Sequence, residues 1–390
     1  MGSGRLDAVD ALFVAAGRAQ AQFCVVVRLR GPRPTREELV ALVDERWGSA
    51  DRLRLCLRGA RRPRWHPGGA GSWRRQIETR SWPGGGTEPA AIAAILDTPL
   101  PDELPRWRLV LLTGPEDETW SLVLVVHHAL LDGLSARGLL VRLLAAPTTA
   151  DPVPTVGTPP RPAGALATLW HGLRAVARRP AAHRPLSRRH LALARVPLRA
   201  LRHPSATVND VFLAAVTGAL GGAGERWSRV LVPVSVRTDA SLGNHVLPLE
   251  IRLPWAAADP ERRLAAIGRL TAPPIRADAV ARAGRALGWS GRVGWPAVRL
   301  AESTAMSRNA MTCSSMRPLP AGLGLGRARV VEAYFTTVHR RGLAIALTGF
   351  AEDMAVSVVA DAALAGFADR LAAGIAEQLT RAVTGPVTTP

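Results

Sequence analysis

The stretch Trp120-Ser-Leu-Val-Leu-Val-Val-His127-His128-Ala-Leu-Leu-Asp132-Gly133 decides how this chain is read. Residues 120–126 are apolar and β-branched, the composition of a buried strand. Strand side chains alternate between faces, so His127 and His128 point in opposite directions. One can enter a cleft while the other is held in the packing. Asp132-Gly133 makes the turn that opens a helix from Leu134 to Leu144. An imidazole has an ordinary pKa of about 6.5, so a histidine fixed at a strand end can take a proton from a hydroxyl or amine at neutral pH.

Outward from this strand, the first part of the chain mixes strand and helix signals. Ala21 to Leu29 reads as a strand, and Thr35-Arg-Glu-Glu38 is a capping box followed by Leu39, Leu42, Val43 and Trp47 at helical spacing. Arg52 to Arg58 alternates with period two. Residues 59–88 are expected to be loops with one short strand, and Pro89 to Leu96 a helix. Trp107 to Leu112 and Trp120 to Val126 read as neighbouring strands. Residues 145–164 are dense in Pro and Thr, the clearest linker, and an amphipathic basic helix is expected over 165–178. The second part repeats the alternation. A helix opens at Asn209-Asp210, and strands follow at Arg229 to Val236 and His245 to Leu253. Helices are expected from Asp259-Pro260 and over 277–287. Strands at 328–331, 343–348 and 354–360 precede a closing helix over 364–383. The fold class is α+β, with mixed sheets covered by helices.

Composition narrows the function. The chain has 390 residues, enough for two ordinary domains, and no run approaches the apolar length of a membrane span. The N-terminal residues lack a signal-peptide pattern, and Cys24, Cys56 and Cys313 are odd in number and widely spaced. A reducing cytoplasm is the expected location. Every one of the 50 basic residues is arginine, and the net charge is +19. Between Asp151 and Asp210 there are ten arginines and no acid. Such a stripe suits the phosphates of coenzyme A, an acidic carrier protein or anionic lipid at a membrane periphery; a solvated face is the plain alternative. Nucleic acid is not expected, because the tryptophans are scattered rather than interleaved with the arginines. There is no Gly-x-Ser-x-Gly elbow and no Gly-Lys phosphate loop; Gly322-Leu-Gly-Leu-Gly326 reads as an ordinary loop. No metal is expected, since adjacent histidines on a strand cannot converge on one ion.

Taken in order, these motifs resemble one family. Leu6-Asp-Ala-Val-Asp-Ala-Leu-Phe13 is similar to the opening helix of the bacterial wax ester synthase/diacylglycerol acyltransferase-like proteins, within the condensation-domain and chloramphenicol-acetyltransferase-like superfamily. Leu104-Pro-Arg-Trp-Arg-Leu109, the complete His-His-x-x-x-Asp-Gly motif at 127–133, Thr207 to Leu213, Pro233-Val-Ser-Val-Arg237 and Leu242-Gly-Asn244 follow in family order. Thr312-Cys-Ser-Ser-Met-Arg-Pro318 departs from the family's Ser-Asn-x-Pro-Gly-Pro strand.

The resemblance implies two chloramphenicol-acetyltransferase-like subdomains, 1–145 and 186–390, joined by a Pro/Arg-rich linker and basic helix at 146–185. They would form a V-shaped pseudo-dimer around a central channel. It implies acyl transfer from a thioester donor, acyl-CoA or acyl carrier protein, to a hydroxyl, with no cofactor beyond the thioester co-substrate. His128 would be the general base and His127 the packed histidine. Asp132 and Gly133 would support the motif, with Arg237 pairing to Asp132. Asn209, Asp210, Ser235, Asn244, Cys313 and Ser314 are candidates for the substrate channel; helix capping is the alternative for Asn209 and Asp210, and plain strand alternation for Ser235. Two other readings stay open: carrier-protein-dependent ester or amide condensation in specialised metabolism, and a non-catalytic docking member of the family.

Overall fold

Alternation along residues 119–127 sets the architecture. In the computed structural model this run is a strand with both faces buried: Leu122, Leu124 and Val126 enter one apolar cluster, while Val123 and Val125 enter another. The structure describes residues 4–17, 21–59, 63–116, 118–145, 188–221, 227–237, 242–293, 295–337, 339 and 342–384. The expected linker and basic helix at 146–185 lie outside them.

The first part runs β1 (Gly4–Arg5), α1 (Ala8–Ala16), β2 (Gln22–Arg30), α2 (Arg36–Trp47), β3 (Leu55–Arg58), β4 (Arg64–Pro67), β5 (Ile77–Ser81), α3 (Glu88–Asp97), β6 (Trp107–Thr113), β7 (Thr119–His127) and α4 (Gly133–Leu144). The second runs β8 (Arg189–Pro197), α5 (Val208–Leu220), β9 (Arg229–Ser235), β10 (Val246–Arg252), α6 (Pro260–Thr271), α7 (Pro273–Val293) and α8 (Trp295–Arg308). It continues with β11 (Met311–Ser315), β12 (Gly324–Leu325), β13 (Ala328–Phe335), β14 (Leu343–Phe350), β15 (Asp353–Asp361) and α9 (Ala365–Thr384).

Two six-stranded mixed sheets organise these elements, one in the order β12-β13-β2-β7-β6-β5 and the other β10-β9-β11-β14-β15-β8. A small sheet, β1-β4-β3, lies beside them. The outer face of the first sheet is covered by α2 and α4, whose Leu39, Val43, Trp47, Leu139, Leu140 and Leu143 join the first cluster. The Thr35–Glu38 capping box forms as read, and Trp47 Nε1 donates to the Leu139 carbonyl at 3.0 Å, locking α2 to α4. The outer face of the second sheet is covered by α5, α6 and α9. Between the two sheets lies a shared seam: Val26, Val110, Val123 and Val125 meet α3 and, from the second sheet, Leu191, Ala344, Ala355 and Val359. This explains why β2 and β7 read as unbroken apolar runs.

The sheets do not divide the chain at one point. β12 and β13, from residues 324–335, leave the second part and pair with β2 at the edge of the first sheet. Three local expectations change. Arg52 to Arg58 is a 3-10 turn over Asp51–Arg54 followed by β3; residues 59–88 hold two strands, β4 and β5; and the Gly322–Gly326 loop carries the short strand β12. Ion pairs also break up the arginine stripe. Among its described members, Arg189 pairs with Asp97, Arg195 with Glu332 and Arg202 with Glu352, acids supplied from distant parts of the chain. Among the described residues, no helix is long and apolar enough to cross a membrane.

Because the seam belongs to both sheets, the two parts should unfold together. Val123→Ala is expected to cost about 2 kcal/mol, the lost methyl groups plus a small cavity. Denaturant unfolding followed by tryptophan fluorescence should stay a single transition at a lower midpoint; two separated transitions would contradict the shared seam.

Candidate active site

His128 lies just past the end of β7, and alternation assigns its face. It shares parity with Leu122, Leu124 and Val126, so its ring turns toward the first cluster, while His127 turns the other way. The imidazole of His128 stacks on Phe13 of α1, with centroids 4.0 Å apart and planes 6° from parallel, and Phe23 of β2 tilts against it at 5.0 Å. The residue is 8% exposed. Burial pulls its pKa down to about 4; the Asp132 charge, its own main-chain carbonyl and the Asn244 side chain push back. The ring is therefore neutral at pH 7. Its Nδ1 is buried and has no hydrogen-bond partner of ordinary geometry.

His127 has no such freedom. Its Nδ1 accepts from the Ala129 N–H at 3.2 Å, so Nε2 carries the proton and donates to the Gly17 carbonyl at 3.3 Å. Burial, with help from the Arg106 charge, lowers its pKa to about 3. It is a packed, neutral residue that fixes the turn.

Asp132 is fully buried and ties the two sheets together. As N-cap of α4 its Oδ1 accepts from the Ser135 N–H at 2.7 Å. The Arg237 Nη2, from just past β9, reaches Oδ1 at 3.0 Å and Oδ2 at 2.9 Å, and the His245 N–H reaches Oδ2 at 2.9 Å. Ser135 adds its hydroxyl, donating to the Gly243 carbonyl at 3.0 Å and accepting from Arg237 at 2.8 Å. With all these donors, the carboxylate is committed to structure. A Cβ at Gly133 would stand 2.9 Å from the Met316 sulfur, so any larger residue there would push the Met316 side chain aside. Arg137 then donates to the carbonyls of Arg317 and Pro318 at 3.2 and 2.7 Å. The departing segment 312–318 is thus pinned onto the Asp-Gly turn.

The channel candidates separate into groups. Asn244 comes to His128; it is buried, and neither of its amide atoms has another hydrogen bond. Asn209 meets the neighbouring strand, accepting from the Ser315 hydroxyl at 2.9 Å, and Ser314 is half-buried on β11. Asp210 is a structural residue: it completes a capping box with Thr207 and accepts from the buried Thr271 hydroxyl at 2.5 Å. Ser235 is exposed on β9. Cys313 is fully buried in the second apolar cluster, where burial pushes its thiol up, so it does not face His128. The reason is parity: Met311 and Cys313 share the core face of β11. Sequence reasoning missed Phe13, Phe23 and Ser135. Phe13 was visible only as an apolar residue of the opening helix, with nothing in the sequence to say that it covers an imidazole. Among the described residues, no group of three or more His, Cys, Asp or Glu could hold a metal ion.

Two outcomes follow from this geometry. Arg237→Met should destabilise the fold by about 3–5 kcal/mol in denaturant unfolding, because it strips a buried carboxylate of its counter-charge; pairing it with Asp132→Asn should recover part of that loss. Protonating His128 opposes folding, so its contribution weakens stability as pH falls from about 6.5, the unfolded value, toward the folded value of about 4. An NMR titration of the imidazole, assigned with His128→Asn, should show a midpoint near 4 rather than the ordinary value.

Comparison with known proteins identifies the family. The family model described as the wax ester synthase/diacylglycerol acyltransferase catalytic domain matches residues 75–219, and that of the WS/DGAT C-terminal domain matches residues 242–382. A solved wax ester synthase/diacylglycerol acyltransferase from Marinobacter aquaeolei VT8 is similar at 18% identity and a TM-score of 0.63, covering 97% of this chain and 100% of that one. A mutant starter condensation domain of rhizomide synthetase RzmA, in complex with C8-CoA and Leu-SNAC, is similar at 14% identity and 0.63, covering 100% and 96%. The epimerization domain from the third module of tyrocidine synthetase B gives 14% and 0.60, covering 98% and 97%. No protein of curated function matches the sequence. The structural likenesses establish the fold, an α+β, two-part condensation-type architecture. The two family models together span well over half of the chain, which belongs to the wax ester synthase/diacylglycerol acyltransferase family.

Proposed function

We propose that this acyltransferase-family protein moves an acyl group from a thioester donor to a hydroxyl acceptor, with His128 as general base. One observation supports the reading: His128 is a buried, neutral imidazole stacked on Phe13 and met at a tilt by Phe23, with Nδ1 lacking a hydrogen-bond partner of ordinary geometry. Asp132 is engaged by Arg237 and two main-chain N–H groups, so it orients the turn.

In the proposed reaction the acceptor hydroxyl gives its proton to His128 Nε2 as its oxygen attacks the thioester carbonyl. A C–O bond forms, the C–S bond breaks, and the proton passes from the imidazolium to the departing thiolate. Burial keeps the ring neutral at pH 7, so it is in the form that can accept the first proton. A dry aromatic surround also disfavours hydrolysis, the competing fate of the same acyl group. Asn244, whose buried amide lies beside the ring without another partner, is placed to hold a substrate oxygen. That the related starter condensation domain was solved with C8-CoA and Leu-SNAC supports a thioester donor; an amine acceptor remains within the same chemistry.

The test is thiol release from acyl-CoAs of graded length, with alcohols and amines as acceptors and intact-mass detection of product. His128→Ala should lower turnover by ~10²–10⁴-fold with its unfolding curve otherwise native-like. Near-normal turnover in that variant would reject His128 as the base.

A further inference from the structure

Arg52 performs an unusual task for a residue in a short turn. It lies in the 3-10 turn Asp51–Arg54 between α2 and β3, and its side chain is only 11% exposed. Its Nε donates to the Leu130 carbonyl at 2.6 Å, and its Nη2 donates to the Ala129 carbonyl at 3.1 Å. These are the two residues that directly follow His128, and both are fully buried. The same Nη2 reaches Asp10 Oδ2 on α1 at 2.9 Å. That oxygen also accepts from Trp65 Nε1 at 3.1 Å, and the guanidinium lies 5.7 Å from the Trp65 ring centre. Asp10 is itself 1% exposed. One helical turn further along α1, Phe13 lies flat on the His128 ring. A single guanidinium therefore grips the main chain behind His128 and, through Asp10, the helix that supplies the ring in front of it.

We propose that Arg52 and Asp10 are positioning residues for His128, fixing both the main chain that carries the imidazole and the aromatic face that covers it. The proposal deepens the acyl-transfer reading and rests on it for its kinetic consequence. The physical need is clear. The carbonyls of residues 129 and 130 sit in a tight turn between the strand end and the Asp132 cap, away from water, and each needs a donor. A planar guanidinium serves two carbonyls and a carboxylate at once through donors in a fixed fork; a lysine ammonium has three donors but not that geometry. Burial raises the Asp10 carboxyl to about 7, and the Arg52 charge opposes that rise, so the network is best assayed well above that value, with Asp10 ionised.

The experiment uses Arg52→Lys, Arg52→Gln and Phe13→Leu in the full chain, with two readouts. In steady-state thiol-release assays, Arg52→Gln should lower kcat by about tenfold or more while KM for the acyl-CoA changes by less than about twofold, since the base is displaced and not the donor site. Arg52→Lys should recover only part of kcat. In the NMR titration, loosening the clamp or removing the stacked ring should let water reach His128 and move its midpoint up from about 4 toward the ordinary histidine value. Phe13→Leu keeps an apolar side chain on α1, so it tests the same idea if Arg52→Gln fails to fold. Unchanged kcat and an unchanged His128 midpoint in the folded variants would overturn the proposal. Loss of turnover in His128→Ala with normal Arg52 variants would leave the acyl-transfer reading standing and remove only this inference. The titration decides on positioning even if His128→Ala were to stay active.

Discussion

The buried Asp132 carboxylate is the constraint on which the site depends. A charge taken wholly out of water must be met by donors, and this one collects them from both sheets: the first turn of α4, the end of β9 and the chain entering β10. Such a pair adds little net stability, because desolvation offsets much of the attraction. What it supplies is geometry. It fixes where the strand bearing His128 ends and brings Leu242–His245 against it, with Asn244 beside the imidazole. Remove the charge pair and the two sheets would still share an apolar seam, but the site at their junction would lose its register.

Around that anchor the environment of His128 is dry and closely packed. Phe13 and Phe23 take away the water that would stabilise an imidazolium, and the ring stays neutral far below its ordinary titration range. Neutrality is what a base needs before reaction. It follows from one property, the burial of a single ring. His127 shows the contrast: it is equally buried, but its two nitrogens are spent on Ala129 and Gly17, and it has no chemistry left to offer.

Much of this was legible in the sequence, for reasons that can be named. Period-two alternation from Val123 to His128 is a local property, so the opposed faces of the two histidines could be read directly, as could the Thr35–Glu38 cap. The Asp132–Arg237 pair spans 105 residues and came only from family resemblance. The path of β12 and β13 back into the first sheet was invisible, because a strand's pattern says that it pairs but not with which partner. The same limit explains the residues misjudged. Cys313 shares a strand with half-buried Ser314, and its core face was fixed by parity within β11, which needs the sheet to be known. Asp210, by contrast, takes the capping role that its position after Thr207 allowed. Three arginines of the basic stripe, Arg189, Arg195 and Arg202, find acids from other parts of the chain, which the sequence could not show. Phe13 gave no signal, because stacking on an imidazole requires only an aromatic ring at the right place in space.

The most direct test of the central claim is a crystal structure with an unreactive acyl-CoA thioether and an alcohol acceptor bound together. The acceptor oxygen should lie within hydrogen-bond reach of His128 Nε2, about 2.6–3.2 Å, with the imidazole still stacked on Phe13 and Asp132 still held by Arg237. Both ligands bound at a distance from His128 would contradict this role.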